Sequence, residues 1–151
     1  MAEHVLRRVQ IVNSPIEETF EFFSDAGNLE KITPPELEFN IITPLPIAIE
    51  TGTLIDYKLY LWNIPITWRT EISEWEPPHR FVDRALRSPY KQWIHLHRFT
   101  SLEDGRTEME DYVRYRLPIE PFGDVMHWFV RGELERIFDF RSDAVRRILE
   151  G

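Results

Sequence analysis

The feature that most constrains the fold of this chain is a change of hydrophobic spacing near residue 118. Before this point, apolar and polar residues alternate in segments separated by Pro, Gly and Asn, which is typical of half-buried strands. After it, apolar residues recur at helical spacing. A strand series of this length must curl, and the terminal helix can cover its concave face. The predicted strands span residues 4–12, 37–43, 53–62, 66–76, 80–86, 90–102 and 106–117, and the predicted helix spans residues 120–150.

The segment after the first strand predicts two short helices. In "NSPIEETFEFFSD", Asn13 or Ser14 can cap a helix, and Pro15 suits its first turn. The following "AGNLEKITPP" allows a second short helix that ends at Pro34 and Pro35. The predicted fold class is therefore α+β, with a curved seven-stranded antiparallel sheet wrapped on a long C-terminal helix and two short helices after the first strand.

The length of the chain limits the expected number of domains, and its net charge limits the kind of partner. The 151 residues suit one domain spanning positions 1–151. A net charge of -8 disfavours nucleic acid as a partner, because such a partner requires a basic face. No apolar run approaches the roughly 20 residues of a membrane span, and the first residues lack the apolar core of a signal peptide. We therefore expect a cytoplasmic protein without membrane insertion, and the lack of cysteine excludes disulfides and thiolate chemistry.

The stretch "KQWIHLHRFT" carries the main candidate site. On a strand, side chains two positions apart share a face, so Trp93, His95, His97 and Phe99 point the same way. By the same alternation, Asp111 is the one acidic member of an apolar row on the last strand. The two strands pair across the "EDG" turn, so Asp111 is expected beside one of the two histidines, and the register decides which.

Four roles are open for this histidine pair. The rings can be hydrogen-bonded core residues of an aromatic sheet, or they can line a pocket and orient a ligand. With Asp111 they can also form an acid–base set, or hold a metal ion for which Asp111 would be a third ligand. The other histidines show no recognisable ligand spacing, so neither a metal site nor a cofactor is predicted. The candidate catalytic residues are His95, His97 and Asp111.

Five segments of the chain carry a family resemblance: "SPIEETFEFFSDAGNLEKITPP", "GTLIDYKL", "ITWRTEISEWEPPHRFVD", "WIHLHRF" and "LERIFDFR". They resemble the bacterial polyketide cyclase/dehydrase-like proteins of the SRPBCC superfamily, which share the START/Bet v 1 helix-grip fold. The resemblance covers nearly the whole chain and implies a mostly apolar cavity between the sheet and the long helix, with its mouth near the short helices. The superfamily includes lipid carriers, hormone receptors, cyclases and dehydratases, so the fold does not define the function.

The inward faces of the strands and the covering helix supply the candidate ligand-binding residues for such a cavity. Alternation does not decide the inward face of the strand at 80–86, where Asp83 belongs to one row and Arg84 to the other. In the last helix, Arg141 falls on the same face as Leu134 and Phe138. The candidate ligand-binding residues are Tyr57, Leu59, Trp68, Thr70, Trp93, His95, His97, Val113, Tyr115, Phe129, Leu134 and Phe138.

Three functions remain open from the sequence. The first is binding of a small hydrophobic or aromatic molecule, such as a lipid, polyketide or isoprenoid, in the internal cavity. The second is an enzyme of cyclase or dehydratase type that uses the His/Asp set for proton transfer. The third is an accessory or assembly module without a ligand. A homodimer contact is a further alternative, for which Trp62 and Trp75 near strand ends are the candidates.

Overall fold

The computed structural model describes residues 3–61, 63–118 and 122–151, and in residues 122–125 it describes the backbone only. Trp62 and the predicted helical residues 120 and 121 therefore lie outside the described residues. The elements are β1 (His4–Val12), α1 (Ile16–Phe23), two 3₁₀ helices (Ala26–Ile32 and Pro35–Leu37), β2 (Asn40–Ile41), β3 (Leu54–Leu61), β4 (Ile64–Glu76), β5 (Arg80–Arg87), β6 (Gln92–Ser101), β7 (Thr107–Arg116) and α2 (Phe122–Glu150).

The seven strands form one antiparallel sheet in the order β1-β7-β6-β5-β4-β3-β2. The 29-residue helix α2 packs against it, which confirms the predicted fold class. Within the described ranges, neither α2 nor the shorter helices combine the length and apolar character needed to cross a membrane.

Helix α1 begins without the side-chain cap that the sequence predicts. Pro15 occupies the cap position in an extended conformation, and neither Asn13 nor Ser14 serves as the cap. Ser14 is instead buried, and its carbonyl oxygen accepts a hydrogen bond of 2.7 Å from the hydroxyl of Thr107. This bond ties the start of α1 to the start of β7.

Strand β2 is much shorter than the predicted strand at 37–43. Pro35 to Leu37 form a 3₁₀ turn that buries the Leu37 side chain, and Glu38 follows in the left-handed region at φ 47°. Extended pairing therefore starts only at Asn40 and ends at Ile41, opposite β3. The proline pair turns the chain inward where the alternating pattern predicts a strand.

A bulge in β4 changes which side chains face the interior. The register with β5 shifts between Ile72 and Glu74, so Ile72 and Trp75 both point inward although they are three residues apart. The ring of Trp75 lies 5.0 Å from that of Phe20 and 5.4 Å from that of Phe81. Trp75 is thus partly buried against the core, and the homodimer contact stays a prediction.

The part of the interior under α1 is closely packed, and we call it the filled region. The ring of Phe20 meets those of Phe81 and Phe99 in edge-to-face geometry at 5.9 and 5.2 Å, an arrangement that aromatic pairs prefer. The members of the filled region are Val12, Ile16, Phe20, Phe23, Ile32, Phe81, Phe99, Met109, Ala144 and Val145.

Candidate functional site

An internal cavity of about 210 Å³ lies beside the filled region. It is partly open to solvent, and its walls are formed by the end of α1, by β3, β4, β5 and β6, by the 3₁₀ helices and by residues 134–141 of α2. Most of its wall is aliphatic or aromatic, with Leu59, Trp68 and Trp93 contributed by three different strands. The inward row of β5, which the sequence left undecided, includes Asp83.

Five titratable side chains meet beside this cavity, and we call them the polar cluster. All of them except Asp111 line the cavity wall. They come from three adjacent strands and the covering helix, and the rings of the two histidines stack with their centroids 3.6 Å apart. The cluster consists of Asp83 on β5, His95 and His97 on β6, Asp111 on β7 and Arg141 on α2.

Each carboxylate of the polar cluster bonds the histidine diagonal to it. Asp83 lies opposite His95 in the strand ladder, yet its Oδ2 is 2.5 Å from Nε2 of His97. Asp111 lies opposite His97, yet its Oδ1 is 2.7 Å from Nε2 of His95. Diagonal neighbours in an antiparallel sheet are within reach of long side chains. His95 is therefore the histidine that pairs with Asp111.

Arg141 determines where the proton of His97 resides. Its Nη2 lies 3.3 Å from Asp111 Oδ1 and 3.3 Å from His97 Nδ1. A guanidinium can only donate, so Nδ1 of His97 accepts and the proton is on Nε2, which donates to Asp83. The Nδ1 of His95 lies 3.8 Å from Asp83 Oδ2, so the ring of His95 stands between two carboxylates.

The environment favours ionised carboxylates and a neutral His97. Burial, reinforced by the charge on His95, lowers the pKa of His97 to about 4. Burial alone would raise the pKa of Asp111, but the charge of Arg141 and the hydrogen bond from His95 lower it further than burial raises it. The pKa of Asp83 is lowered in the same way, because His95, His97 and Arg141 outweigh the effect of burial.

The cluster has the donor types of a metal site, but it also contains the positively charged side chain of Arg141. Ligand atoms of Asp83, His95 and His97 lie within 4.8 Å of one another, and two imidazoles with one carboxylate suit Zn²⁺ or Fe²⁺. Asp83, not Asp111, is the third member of this set. However, the positively charged guanidinium of Arg141 lies 3.3 Å from Nδ1 of His97. This arrangement disfavours a cation at the cluster.

A second polar group on the cavity wall is satisfied internally. The hydroxyl of Thr70 lies 3.1 Å from the hydroxyl of Tyr57 and accepts a hydrogen bond of 3.1 Å from the indole N–H of Trp68. Burial, with the nearby charge of Asp83, raises the pKa of Tyr57 and keeps its hydroxyl protonated. These groups therefore position one another along the wall.

Nine of the predicted ligand-binding residues line the cavity and three do not. Val113 and Tyr115 are fully buried on β7, and the Tyr115 hydroxyl lies 3.0 Å from His127 Nε2. Phe129 is 42% exposed, because it precedes the part of α2 that lies over the cavity. The nine lining residues are Tyr57, Leu59, Trp68, Thr70, Trp93, His95, His97, Leu134 and Phe138.

Two members of the polar cluster were not predicted as site residues. Asp83 lies in the same row of β5 as Phe81. The aromatic side chain of Phe81 was the signal that could have identified this row as the inward one. Arg141 follows Leu134 and Phe138 at helical spacing, so the sequence placed it on the inward face. What the sequence did not indicate is that both charges would meet the histidines.

The comparisons with known proteins rest on structure alone. No protein-family model matches the chain, and no curated protein sequence matches it. The Zhui aromatase/cyclase from Streptomyces sp. R1128 superposes with a TM-score of 0.79 at 15% identity, over 99% of this chain and 94% of that one. A START superfamily protein from Mycobacterium smegmatis gives 0.71 at 11% identity, over 96% and 99% of the two chains.

A third similar structure is Ara h 8.0201, with a TM-score of 0.66 at 12% identity over 95% of this chain and 98% of that one. At these identities the likeness establishes the fold. The chain has the helix-grip fold of the START/Bet v 1-like proteins, as the resemblance of its segments implied.

Proposed function

We propose that the protein binds a small, mainly apolar molecule in the internal cavity, with the polar cluster as its anchor. The observation that carries this proposal is the combination of an apolar wall with titratable groups that converge on one side. Such a combination is the usual composition of a small-molecule site. A module without a ligand has no need for a hollow beside a buried charge cluster.

The size of the cavity limits the ligand. An apolar cavity of roughly 150 Å³ is large enough for benzene. The cavity of about 210 Å³ therefore suits a molecule with one or two rings, or a short branched hydrocarbon of similar volume. Long acyl chains are too large unless the walls move apart.

Binding can be tested with naphthalene, which has the expected size and no polar group. We expect the wild-type protein to bind it, as measured by isothermal titration calorimetry, since most of the cavity wall is apolar. Native mass spectrometry of freshly purified protein would show whether a small molecule is already bound. A wild-type protein that neither binds naphthalene nor retains any small molecule would contradict the proposal.

A matched pair of variants on β3 separates the cavity from the surface. Leu59 lines the cavity, whereas Leu54 on the same strand is 44% exposed. Leu59→Phe fills the hollow and should weaken naphthalene binding by roughly tenfold or more. Leu54→Phe should leave it unchanged. Equal effects of the two variants would contradict binding inside the cavity.

Acid–base catalysis is the second candidate, and the short contacts of the histidines favour it. His95 borders the cavity and lies 2.7 Å from Asp111, while His97 lies 2.5 Å from Asp83. A histidine oriented by a carboxylate at the wall of an apolar pocket is suited to move a proton to or from a bound molecule. One structural neighbour is described as an aromatase/cyclase, which is compatible with such chemistry.

Exchange of acidic C–H protons tests this candidate without knowledge of the substrate. We expect the protein to accelerate deuterium incorporation at C1 of 2-tetralone in D₂O, followed by NMR. His95→Gln should remove the acceleration, because the amide cannot act as the base. If the wild-type protein binds 2-tetralone without accelerating exchange, the acid–base candidate is wrong and the binding proposal remains.

A further inference from the structure

We propose that the bound molecule carries a hydroxyl or amino group that donates a hydrogen bond to Asp83 Oδ1, and that the site discriminates against anionic ligands. This inference rests on the proposed binding function and adds the chemical class of the ligand's polar group. It follows from which atoms of the polar cluster are already paired and which remain accessible.

Asp83 has one oxygen in use and one available. Its Oδ2 accepts the short hydrogen bond from His97, whereas none of the described residues donates to Oδ1. In the described part of the chain, no fully buried side-chain nitrogen or oxygen is left without a partner. Oδ1 therefore has accessible surface, and because Asp83 lines the cavity and its side chain is only 17% exposed, that surface faces the hollow.

The donor groups next to Asp83 are directed at partners within the cluster. His97 donates to Asp83, the Nε2 of His95 pairs with Asp111, and Nη2 of Arg141 lies between Asp111 and His97. None of the described residues accepts from Nε or Nη1 of Arg141, and these donors belong to the helix side of the cluster, not to the Asp83 side. The guanidinium also lies over the rings of Phe23 and Phe138, at 5.3 and 5.8 Å from their centroids. The unpaired atom that the cluster offers on the Asp83 side is an acceptor.

The net charge of the cluster also favours a neutral hydrogen-bond donor over an anion. Two carboxylates and one guanidinium leave one negative charge when both imidazoles are neutral. His97 stays neutral near pH 7 because its pKa lies at about 4, so the sum does not exceed zero in any state of the remaining imidazole. The cluster is therefore never cationic near neutral pH, and a carboxylate or phosphate entering the cavity would meet the carboxylate of Asp83.

The other hydroxyl groups on the wall do not compete for this role. Tyr57 and Thr70 bond each other, and Thr70 already accepts from Trp68. A phenol, alcohol or amine can reach Asp83 without displacing those bonds. The apolar remainder of the ligand then lies against the aromatic wall.

Three probes with the same ring system test the inference by isothermal titration calorimetry at pH 7. They are naphthalene, 2-naphthol, which is neutral and donates a hydrogen bond, and 2-naphthoate, which is an anion. We expect 2-naphthol to bind about tenfold tighter than naphthalene, because a hydrogen bond to a charged acceptor contributes that much. We expect 2-naphthoate to bind at least about tenfold more weakly than 2-naphthol.

The variant Asp83→Asn tests whether Asp83 causes the discrimination against the anion. Asp56→Asn, on the outer face of the sheet, is the matched control. Asp83→Asn should reduce the preference for 2-naphthol over 2-naphthoate by about tenfold, and Asp56→Asn should not alter it. Wild-type protein that binds naphthalene but prefers 2-naphthoate, or shows no preference, overturns the inference and leaves the binding function. The wild-type ranking decides even if Asp83→Asn does not fold, and failure of naphthalene and 2-naphthol to bind overturns the binding proposal itself.

Discussion

Under α1 the interior is filled by interlocking rings, whereas beside it the same sheet and the same helix leave a cavity of about 210 Å³. The difference lies in the number of elements that cover the sheet. In the filled region α1 adds Phe20 and Phe23 between the strands and the end of α2. Beside it, the 3₁₀ helices take the place of an α-helix. They and α2 contact the curved sheet only in part, and the remainder stays hollow.

The polar cluster marks the boundary between these two regions. The ring of His97 stacks on Phe81 of the filled region at 4.0 Å, while His95 faces Trp93 and Phe138 on the cavity side at 6.3 and 5.7 Å. Packing and electrostatics therefore change at the same place, and variants on either side should behave differently.

The largest effect is expected in the filled region. Phe99→Ala should lower the free energy of unfolding by about 3–5 kcal/mol, because the ring is almost fully buried and touches Phe20 and Phe23. Urea denaturation followed by circular dichroism measures this change. A loss below about 1 kcal/mol would mean that this region is not closely packed.

The next effect concerns pH at the boundary. Because the pKa of His97 falls from 6.5 in the unfolded chain to about 4 in the folded one, the unfolded chain binds more protons in this range, and stability decreases as pH falls from 6.5 to 4. The expected loss is roughly 3 kcal/mol. The groups that face His97 are Asp83, His95, Asp111 and Arg141.

Urea denaturation at several pH values tests this slope. His97→Gln retains an amide donor near Asp83 but does not titrate, so the decrease between pH 6.5 and 4 should become shallower than in the wild type. The lowered pKa values of Asp83 and Asp111 begin to affect stability only below about pH 5, where the unfolded carboxyls take up protons, so the slope between pH 6.5 and 5 reports mainly on His97. An unchanged slope in the variant would show that His97 is not the titrating group.

Two leucines of one apolar cluster compare a fully packed position with a position on the cavity wall. Leu6 is 2% exposed and does not line the cavity, whereas Leu59 is 8% exposed and does. Leu6→Ala should cost about 4 kcal/mol of unfolding free energy and Leu59→Ala about 2 kcal/mol, because the latter side chain already borders a void. Equal losses in urea denaturation would indicate that the cavity closes in solution.

The smallest effect is expected on the outer face of the sheet. Arg69 and Asp56 form a two-pronged ion pair at 2.8 and 3.1 Å, but the arginine side chain is half exposed. Asp56→Asn should change the unfolding free energy by less than about 1 kcal/mol and leave ligand binding unaffected. A larger loss would mean that the outer face contributes to the fold more than its exposure suggests.

The sequence predicted the fold because strand alternation and helical spacing are long and regular in this chain. The inward row of β6, from Trp93 to Phe99, and the acidic position of Asp111 followed from alternation alone. Alternation did not predict the bulge in β4 or the shortness of β2. The bulge depends on tertiary contacts of Trp75, and the 3₁₀ turn before β2 depends on those of Leu37.

The composition of the site was predictable only in part. Alternation placed the two histidines and Asp111 close together, but the diagonal bonding depends on side-chain rotamers that a sequence does not specify. Asp83 and Arg141 come from elements that are far apart in the chain, and their meeting depends on how α2 crosses the sheet. Val113 and Tyr115 do not line the cavity, because both lie on β7, outside the strands that form its wall.

All five residues of the polar cluster lie on strands or on α2, and none lies in a loop. The position of each charge is therefore set by the hydrogen-bonded ladder and by the axis of the helix. A site preorganised in this way needs no ordering of its own side chains when a molecule arrives, so little conformational entropy is lost at the anchor. Selection among ligands of similar polarity then depends on the shape of the apolar wall.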